Sequence, residues 1–202
     1  MRNVLLTGVG GQGTVLAAKM LAQAAQAKGW QVRTAETIGM AQRGGSVVSH
    51  VRMGDGGEEV VAPLVARGTA DVIVAFEPAE AARVLSYLAP DGVVVSATTS
   101  IQPITAALSP EPYRVEGVTA ALSRELNGIS GASTRFVSVD DEAVLTQVGN
   151  RKALNTVLLA SALKTGHLPL SLDDLRDAVR ACVKPRFVDV NLSAIDLVES
   201  GA

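Results

Sequence analysis

The chain is poor in cysteine, histidine and aromatic residues. Among its 202 residues are one cysteine, two histidines, one tryptophan, two tyrosines and three phenylalanines. The single thiol, Cys182, excludes an internal disulfide and cannot by itself ligate an iron–sulfur cluster or a structural zinc. It reads as a small buried hydrophobe. His50 and His167 lie far apart, and no metal-ligand spacing is visible. No basic block and few aromatic rings leave little with which to hold or stack nucleic acid, so none is expected as a partner. No apolar run reaches the roughly 18 residues of a membrane-spanning helix. The start, "MRNVLLTG", is too short and too soon interrupted for a signal peptide. No membrane association is expected, and a cytoplasmic location is. What the chain has in quantity is Ala, Val and Leu: 48% of residues are hydrophobic, and the net charge is only −2. Such small side chains suit close helix–sheet packing, and the length suits one domain over residues 1–202.

The patterning is α/β. "NVLLT" is short, apolar and ended by glycine, as a buried strand is. "GTVLAAKMLAQAAQAKG" has helical spacing and a glycine stop. "WQVRTAE" alternates as a second strand, so a βαβ unit with parallel and adjacent strands is expected. Only nine residues separate Glu36 from Ser46, too few for another parallel crossover. "SVVSHVRM", the turn "GDGG" and "EEVVAP" then predict a hairpin. "DVIVAFEP" and "VVVSAT" are further strands, joined by the helix "AEAARVLSYLAPDG" with a Pro-Asp-Gly stop. "PYRVEG" and "RFVSVD" are weaker strand candidates around the helix "VTAALSREL". The last 60 residues are helical, and in "LSLDD" Ser171 reads as an N-cap with Asp173 and Asp174 in the first turn. The expected fold is a Rossmann-like, mostly parallel sheet with a β-hairpin insertion and a helical C-terminal segment.

Gly8, Gly10 and Gly13 in "GVGGQG" match G-x-G-x-x-G between a strand and a helix. Glu36 follows about 20 residues later, as in a dinucleotide fingerprint. The first glycine would permit a tight turn, the second a close ligand and the third close helix–strand packing. The helix N-terminus would then attract an anion. Against an NAD site stand the missing crossover helix after the second strand and the lack of an evident hydride-transfer partner. Packing alone also explains such glycines. The loop "IGMAQRGG" holds Met40, Gln42, Arg43 and Gly44, where a guanidinium and free N–H groups could meet a phosphate or carboxylate; a solvated turn is the plain alternative. "GDGG" resembles the opening of a thiamine diphosphate motif, but no asparagine pair follows at the required distance. His50 reads as packed or surface histidine. Glu77 reads as a ligand-side carboxylate or a helix N-cap, and Asn155 as a satisfied core hydrogen-bonder.

"GVGGQG" together with "ETIGMAQRGGSVVSHVR" resembles the gamma domain of 2-oxoacid:acceptor (ferredoxin) oxidoreductases. "GNRKALNTVLLASAL" and "KPRFVDVNLSA" are similar to later segments of that family. The resemblance covers nearly the whole chain, and within the family it is most like the indolepyruvate ferredoxin oxidoreductase beta subunits. It departs in "LLASAL", where the family often has glycine. The family oxidatively decarboxylates 2-oxoacids with thiamine diphosphate, passes the acyl group to coenzyme A and sends electrons through iron–sulfur clusters to ferredoxin. The resemblance implies an accessory subunit, inactive alone. A large alpha subunit would carry thiamine diphosphate, Mg and 4Fe-4S clusters, with the two chains in a heterotetramer or this chain as a homo-oligomer. Indolepyruvate conversion to indoleacetyl-CoA and CO2 is the implied reaction. A coenzyme A site shared with the partner would involve Gly8, Gly10, Gly11, Gln12, Gly13, Met40, Gln42, Arg43 and Gly44. Two readings stand beside it: a self-sufficient NAD(P)-binding oxidoreductase, and a purely structural assembly subunit.

Overall fold

The computed structural model describes residues 1–39, 45–101, 114–128 and 134–201. Among them, six strands form one sheet: β1 (Arg2–Val9), β2 (Gln31–Ile38), β3 (Ser46–Gly54), β4 (Ala70–Ala75), β5 (Leu88–Ala97) and β6 (Phe136–Val139). The helices are α1 (Thr14–Ala27), α2 (Pro78–Val84), α3 (Val115–Asn127), α4 (Asp141–Val148), α5 (Leu154–Lys164), α6 (Leu172–Cys182) and α7 (Val188–Ser200).

The sheet order is β2-β3-β1-β4-β5-β6. β1, β4, β5 and β6 pair in parallel. β3 runs antiparallel to both of its neighbours, β1 and β2. Thus β1 and β2 are parallel, as expected, but not adjacent: β3 lies between them. The hairpin insertion is β2 with β3, not β3 with "EEVVAP". Both edges of β3 are already hydrogen-bonded, so the segment after Gly54 has no free ladder to join, and residues 58–62 are not a strand.

Two smaller expectations also change. Pro90, Asp91 and Gly92 do not end a helix but lie inside β5, where the pairing with β4 slips between Ala70↔Leu88 and Val72↔Val93. The helix before them is correspondingly short. In "PYRVEG", Arg114 caps α3 and Val115–Gly117 begin it, so that part is not strand; residues 112 and 113 lie outside the described residues.

The sheet is covered on both faces, which explains its near-continuous apolar strands. Val4, Leu6, Val72, Val74, Val93 and Val95 face a large core with α1, α4, α5, α6 and α7. Leu5, Ile73, Ala75 and Val94 face a smaller core with α2 and α3. Alanines of α1 (Ala17, Ala18, Ala24, Ala25) let that helix lie close to the sheet. Ser171 and Asp174 form the reciprocal capping box that starts α6. The chain leaves β1 through α1 on one face and β4 through α2 on the other. The carboxyl ends of β1 and β4 therefore flank a topological switch point, where open α/β sheets place their ligands.

Candidate functional site

The glycine loop is built around Gln12. Its Oε1 accepts the Val9 N–H at 2.7 Å, and its Nε2 donates to the Phe76 carbonyl at 2.9 Å. Both ends of this side chain are thus spent tying the loop after β1 to the end of β4. The glycines divide their work differently from the fingerprint expectation. Gly8 is not at the turn: it lies in β1, where a Cβ would meet Phe76 Cβ at 2.8 Å. It is the close-packing glycine. Gly11 and Gly13 supply the turn, with φ of 99° and 91°. Gly10 donates its N–H to the Gly45 carbonyl at 2.9 Å.

That bond brings the loop after β1 against the end of the segment between β2 and β3. Gly39 N–H also donates to the Ser46 carbonyl, at 2.8 Å. The two glycine-containing loops therefore meet at one end of the sheet. Met40, Gln42, Arg43 and Gly44 themselves lie outside the described residues. Beside this junction, Ser46 Oγ donates to the buried Glu80 carboxylate at 2.5 Å. Glu77 caps α2, accepting the Glu80 N–H at 3.1 Å.

A cavity of about 660 Å³ opens over the switch point. Its floor is Gly11, Gln12, Gly13 and Phe76, at the ends of β1 and β4. One wall is Thr99, Ile101 and Asp141, after β5 and β6. Leu16 of α1 and the C-terminal segment supply the rest: polar and charged Arg151, Lys152, Asn155, Cys182, Lys184, Arg186 and Asn191, and apolar Leu154, Val183 and Phe187. Arg151, Lys152, Lys184 and Arg186 form no ion pair among the described residues. Lys152 and Arg186 rest on the Phe187 ring, 4.9 Å and 4.8 Å from its centroid, which holds both cations at the rim. Asp141 is the counterweight. Its Oδ1 accepts from Thr98 N–H, Thr98 Oγ1 and Thr99 N–H, while its buried Oδ2 has no partner. Cys182 is half-buried in the wall, and burial pushes its thiol pKa up.

Four cations against one carboxylate give the cavity a net positive rim, and its volume exceeds what a single phosphate fills. None of the four was among the candidates read from the sequence. They come from two segments separated by α5 and α6, so no local motif joins them. Glu36 is exposed on β2, with β3 between its strand and β1. In a dinucleotide site the acidic residue ends the strand beside β1 and reaches the ribose from there; here β3 takes that place.

The sequence model of the family described as pyruvate ferredoxin/flavodoxin oxidoreductase matches residues 3–198. The chain belongs to this family. A relative, indolepyruvate oxidoreductase subunit IorB of Pyrococcus horikoshii, is 38% identical over 196 residues, covering 96% of this chain and 93% of that one. Among solved structures, the keto/oxoacid ferredoxin oxidoreductase gamma subunit of Geobacter sulfurreducens is similar with a TM-score of 0.65 and 22% identity, covering 98% of this chain and 95% of that one. The 2-oxoglutarate:ferredoxin oxidoreductase of Magnetococcus marinus, solved with 2-oxoglutarate, coenzyme A and succinyl-CoA bound, has a TM-score of 0.68 at 15% identity. That match spans 98% of this chain but 30% of the other. As a member of the pyruvate ferredoxin/flavodoxin oxidoreductase family, the chain thus has the fold both of separate gamma subunits and of one part of a longer chain.

Proposed function

We propose that this chain is the accessory subunit of a ferredoxin-dependent 2-oxoacid oxidoreductase acting on indolepyruvate, and that its cavity takes the phosphate-bearing part of coenzyme A. The observation that carries the coenzyme A reading is the rim of four cations without carboxylate partners, set over the glycine loop at the switch point. A polyanion fits that rim, and the glycine turn leaves room for a phosphate to approach backbone N–H groups. Family membership and the 38%-identical IorB relative support the subunit and its substrate.

One cysteine cannot supply the four thiolates of a 4Fe-4S cluster. In this reading a large partner subunit carries thiamine diphosphate, magnesium and the 4Fe-4S clusters and passes electrons to ferredoxin. In this reading the switch point takes a polyanion rather than NAD; in support, β3 separates Glu36 from the place beside β1 where a ribose-binding carboxylate stands. No helix among the described residues is long and apolar enough to cross a membrane, in keeping with a cytoplasmic complex.

The test is co-expression with the large-subunit gene, followed by assays of ferredoxin reduction with indolepyruvate, pyruvate, 2-oxoisovalerate and 2-oxoglutarate. Coenzyme A-dependent activity strongest on indolepyruvate is expected. Oxidation by this chain alone, or a complex equally active without it, overturns the proposal.

A further inference from the structure

We infer that Asn155 is a phosphate-binding residue, its side-chain amide completing an anion cradle with the first turn of α1. This deepens the reading of the cavity given above and does not depend on the identity of the 2-oxoacid.

Asn155 is 4% exposed and lies in the cavity wall. Its Oδ1 accepts the Thr156 N–H at 2.9 Å. That donor fixes the orientation of the amide, since only the oxygen can accept it. The Nδ2 group, with two N–H bonds, has no acceptor among the described residues. The residue is otherwise packed away, and this nitrogen is its polar atom left open to the cavity. Asn191, in the same wall, shows the ordinary outcome: its Oδ1 accepts from Thr156 Oγ1 at 2.5 Å and its Nδ2 donates to the Phe187 carbonyl at 2.7 Å. Asn155 has only half of that.

The unspent amide faces the start of α1. A Cβ on Gly13 would lie 3.5 Å from Asn155 Nδ2. Gly13 is the N-cap of α1, with no side-chain cap and no acidic residue in the first turn. The first N–H to return to the cap carbonyl is that of Ala17, at 3.0 Å. The N–H groups of Thr14, Val15 and Leu16 precede it without an intrahelical acceptor. Amide and helix end therefore lie side by side, both offering donors beside the positive end of the helix dipole. An anion with several acceptor oxygens satisfies them at once, and a phosphoryl group has that shape. The cavity is far larger than one phosphate. Leu16, Leu154, Val183 and Phe187 give the same cavity an apolar lining, so the ligand class is a phosphate ester with a sizeable organic part, such as a phosphorylated nucleoside, rather than a bare polyphosphate.

Asn155→Asp separates this role from a structural one. It keeps an oxygen for the Thr156 N–H, removes both donors and adds a negative charge. The full-length chain is titrated by calorimetry at low salt with ADP, inorganic pyrophosphate and adenosine. Wild type is expected to bind ADP more tightly than pyrophosphate, and adenosine at least tenfold more weakly than ADP. The Asp variant is expected to lose at least tenfold in ADP affinity with an unchanged melting temperature. ADP binding within twofold of wild type, or adenosine binding as well as ADP, overturns the inference. Should the Asp variant fail to fold, Asn155→Ala gives the same comparison. Coenzyme A is added as a competitor. Competition that is indifferent to residue 155 sinks the Asn155 role and spares the coenzyme A reading; Asn155-dependent ADP binding without competition does the reverse.

Discussion

The Gly10 N–H donates to the carbonyl of Gly45 at 2.9 Å. This one bond joins the turn after β1 to the end of the β2–β3 connection, 35 residues later in the chain by the two residue numbers. It exists because β3 lies directly beside β1, with Val9 opposite Ser46. A simple βαβ pair would put β2 in that place and the second loop one strand spacing nearer.

Gly8 and Gly10 should respond unequally to alanine. A Cβ at Gly8 would meet Gln12 Oε1 at 2.7 Å and Phe76 Cβ at 2.8 Å. Neither yields easily, since Gln12 is pinned at both ends and Phe76 is fully buried. Overpacking of this kind costs about 1–3 kcal/mol. At Gly10 the nearest atom is the Gly45 carbonyl at 3.7 Å, and its φ is not in the left-handed region. Gly8→Ala should lower the urea midpoint clearly, and Gly10→Ala hardly at all. A tolerated Gly8→Ala would mean that the loop after β1 shifts as a unit.

That contrast shows how far the sequence could be read. The glycine cluster, its place between a strand and a helix, and the β1–α1–β2 direction are all local patterns, and they were legible. Which glycine turns and which packs was not, because that depends on Phe76 arriving from β4. The hairpin was misplaced for a similar reason. "GDGG" is a strong turn signal, yet a hairpin also needs a vacant strand edge, and β3 has none. Asn155 looked like a core residue with its bonds made. Only the position of Gly13 beside it reveals an amide with nothing to donate to.

His50 should make stability depend on pH. It is 5% exposed, its Nδ1 accepts the Val65 N–H at 3.2 Å, and its ring meets the edge of Tyr87 at 6.1 Å between centroids. The charged residues sharing its sheet face nearby are Arg33 and Arg52, so no carboxylate there favours the imidazolium. Burial lowers its pKa from 6.5. The folded state therefore binds fewer protons than the unfolded chain. The stabilisation is fully present above about pH 6.5 and is lost as pH falls through the lowered folded value. Wild type should lose more stability than His50→Asn between pH 7.5 and 5.5 in urea titrations. Equal losses would assign the acid sensitivity elsewhere.

Arg176 clamps α6 to α7. It bonds Asp173 at 2.8 Å, Asp196 at 2.7 Å and also Glu199, and these carboxylates raise its pKa. The partners are exposed, with side-chain exposures from 53% to 87%, so screening limits the gain to about 1 kcal/mol. Arg176→Ala leaves three carboxylates without their shared cation. It should cost about that much at low salt and less at high salt. A loss unchanged by salt would indicate packing by the arginine stem instead.

The cavity rim should govern coenzyme A affinity through charge rather than through turnover. Arg151 and Lys184 approach the cavity from two different segments, and neither leans on an aromatic ring or pairs with a described carboxylate. Lys152 and Arg186 are held on Phe187. All four are exposed, so each contact with a phosphate is partly screened. A charge-assisted bond is worth roughly 1.5–3 kcal/mol at best, and exposure reduces that toward about 1 kcal/mol, or roughly fivefold in affinity. In the reconstituted complex, Arg151→Gln and Lys184→Gln should each raise the apparent KM for coenzyme A about fivefold. The double variant should approach the product of the two, since the residues lie on separate segments and share no partner. Their effects should shrink as salt rises, while kcat and the KM for indolepyruvate stay unchanged. If KM for the 2-oxoacid moves instead, the rim faces the partner's catalytic centre. If neither constant moves, the cations serve assembly, and the affinity between the subunits should then weaken in the same variants.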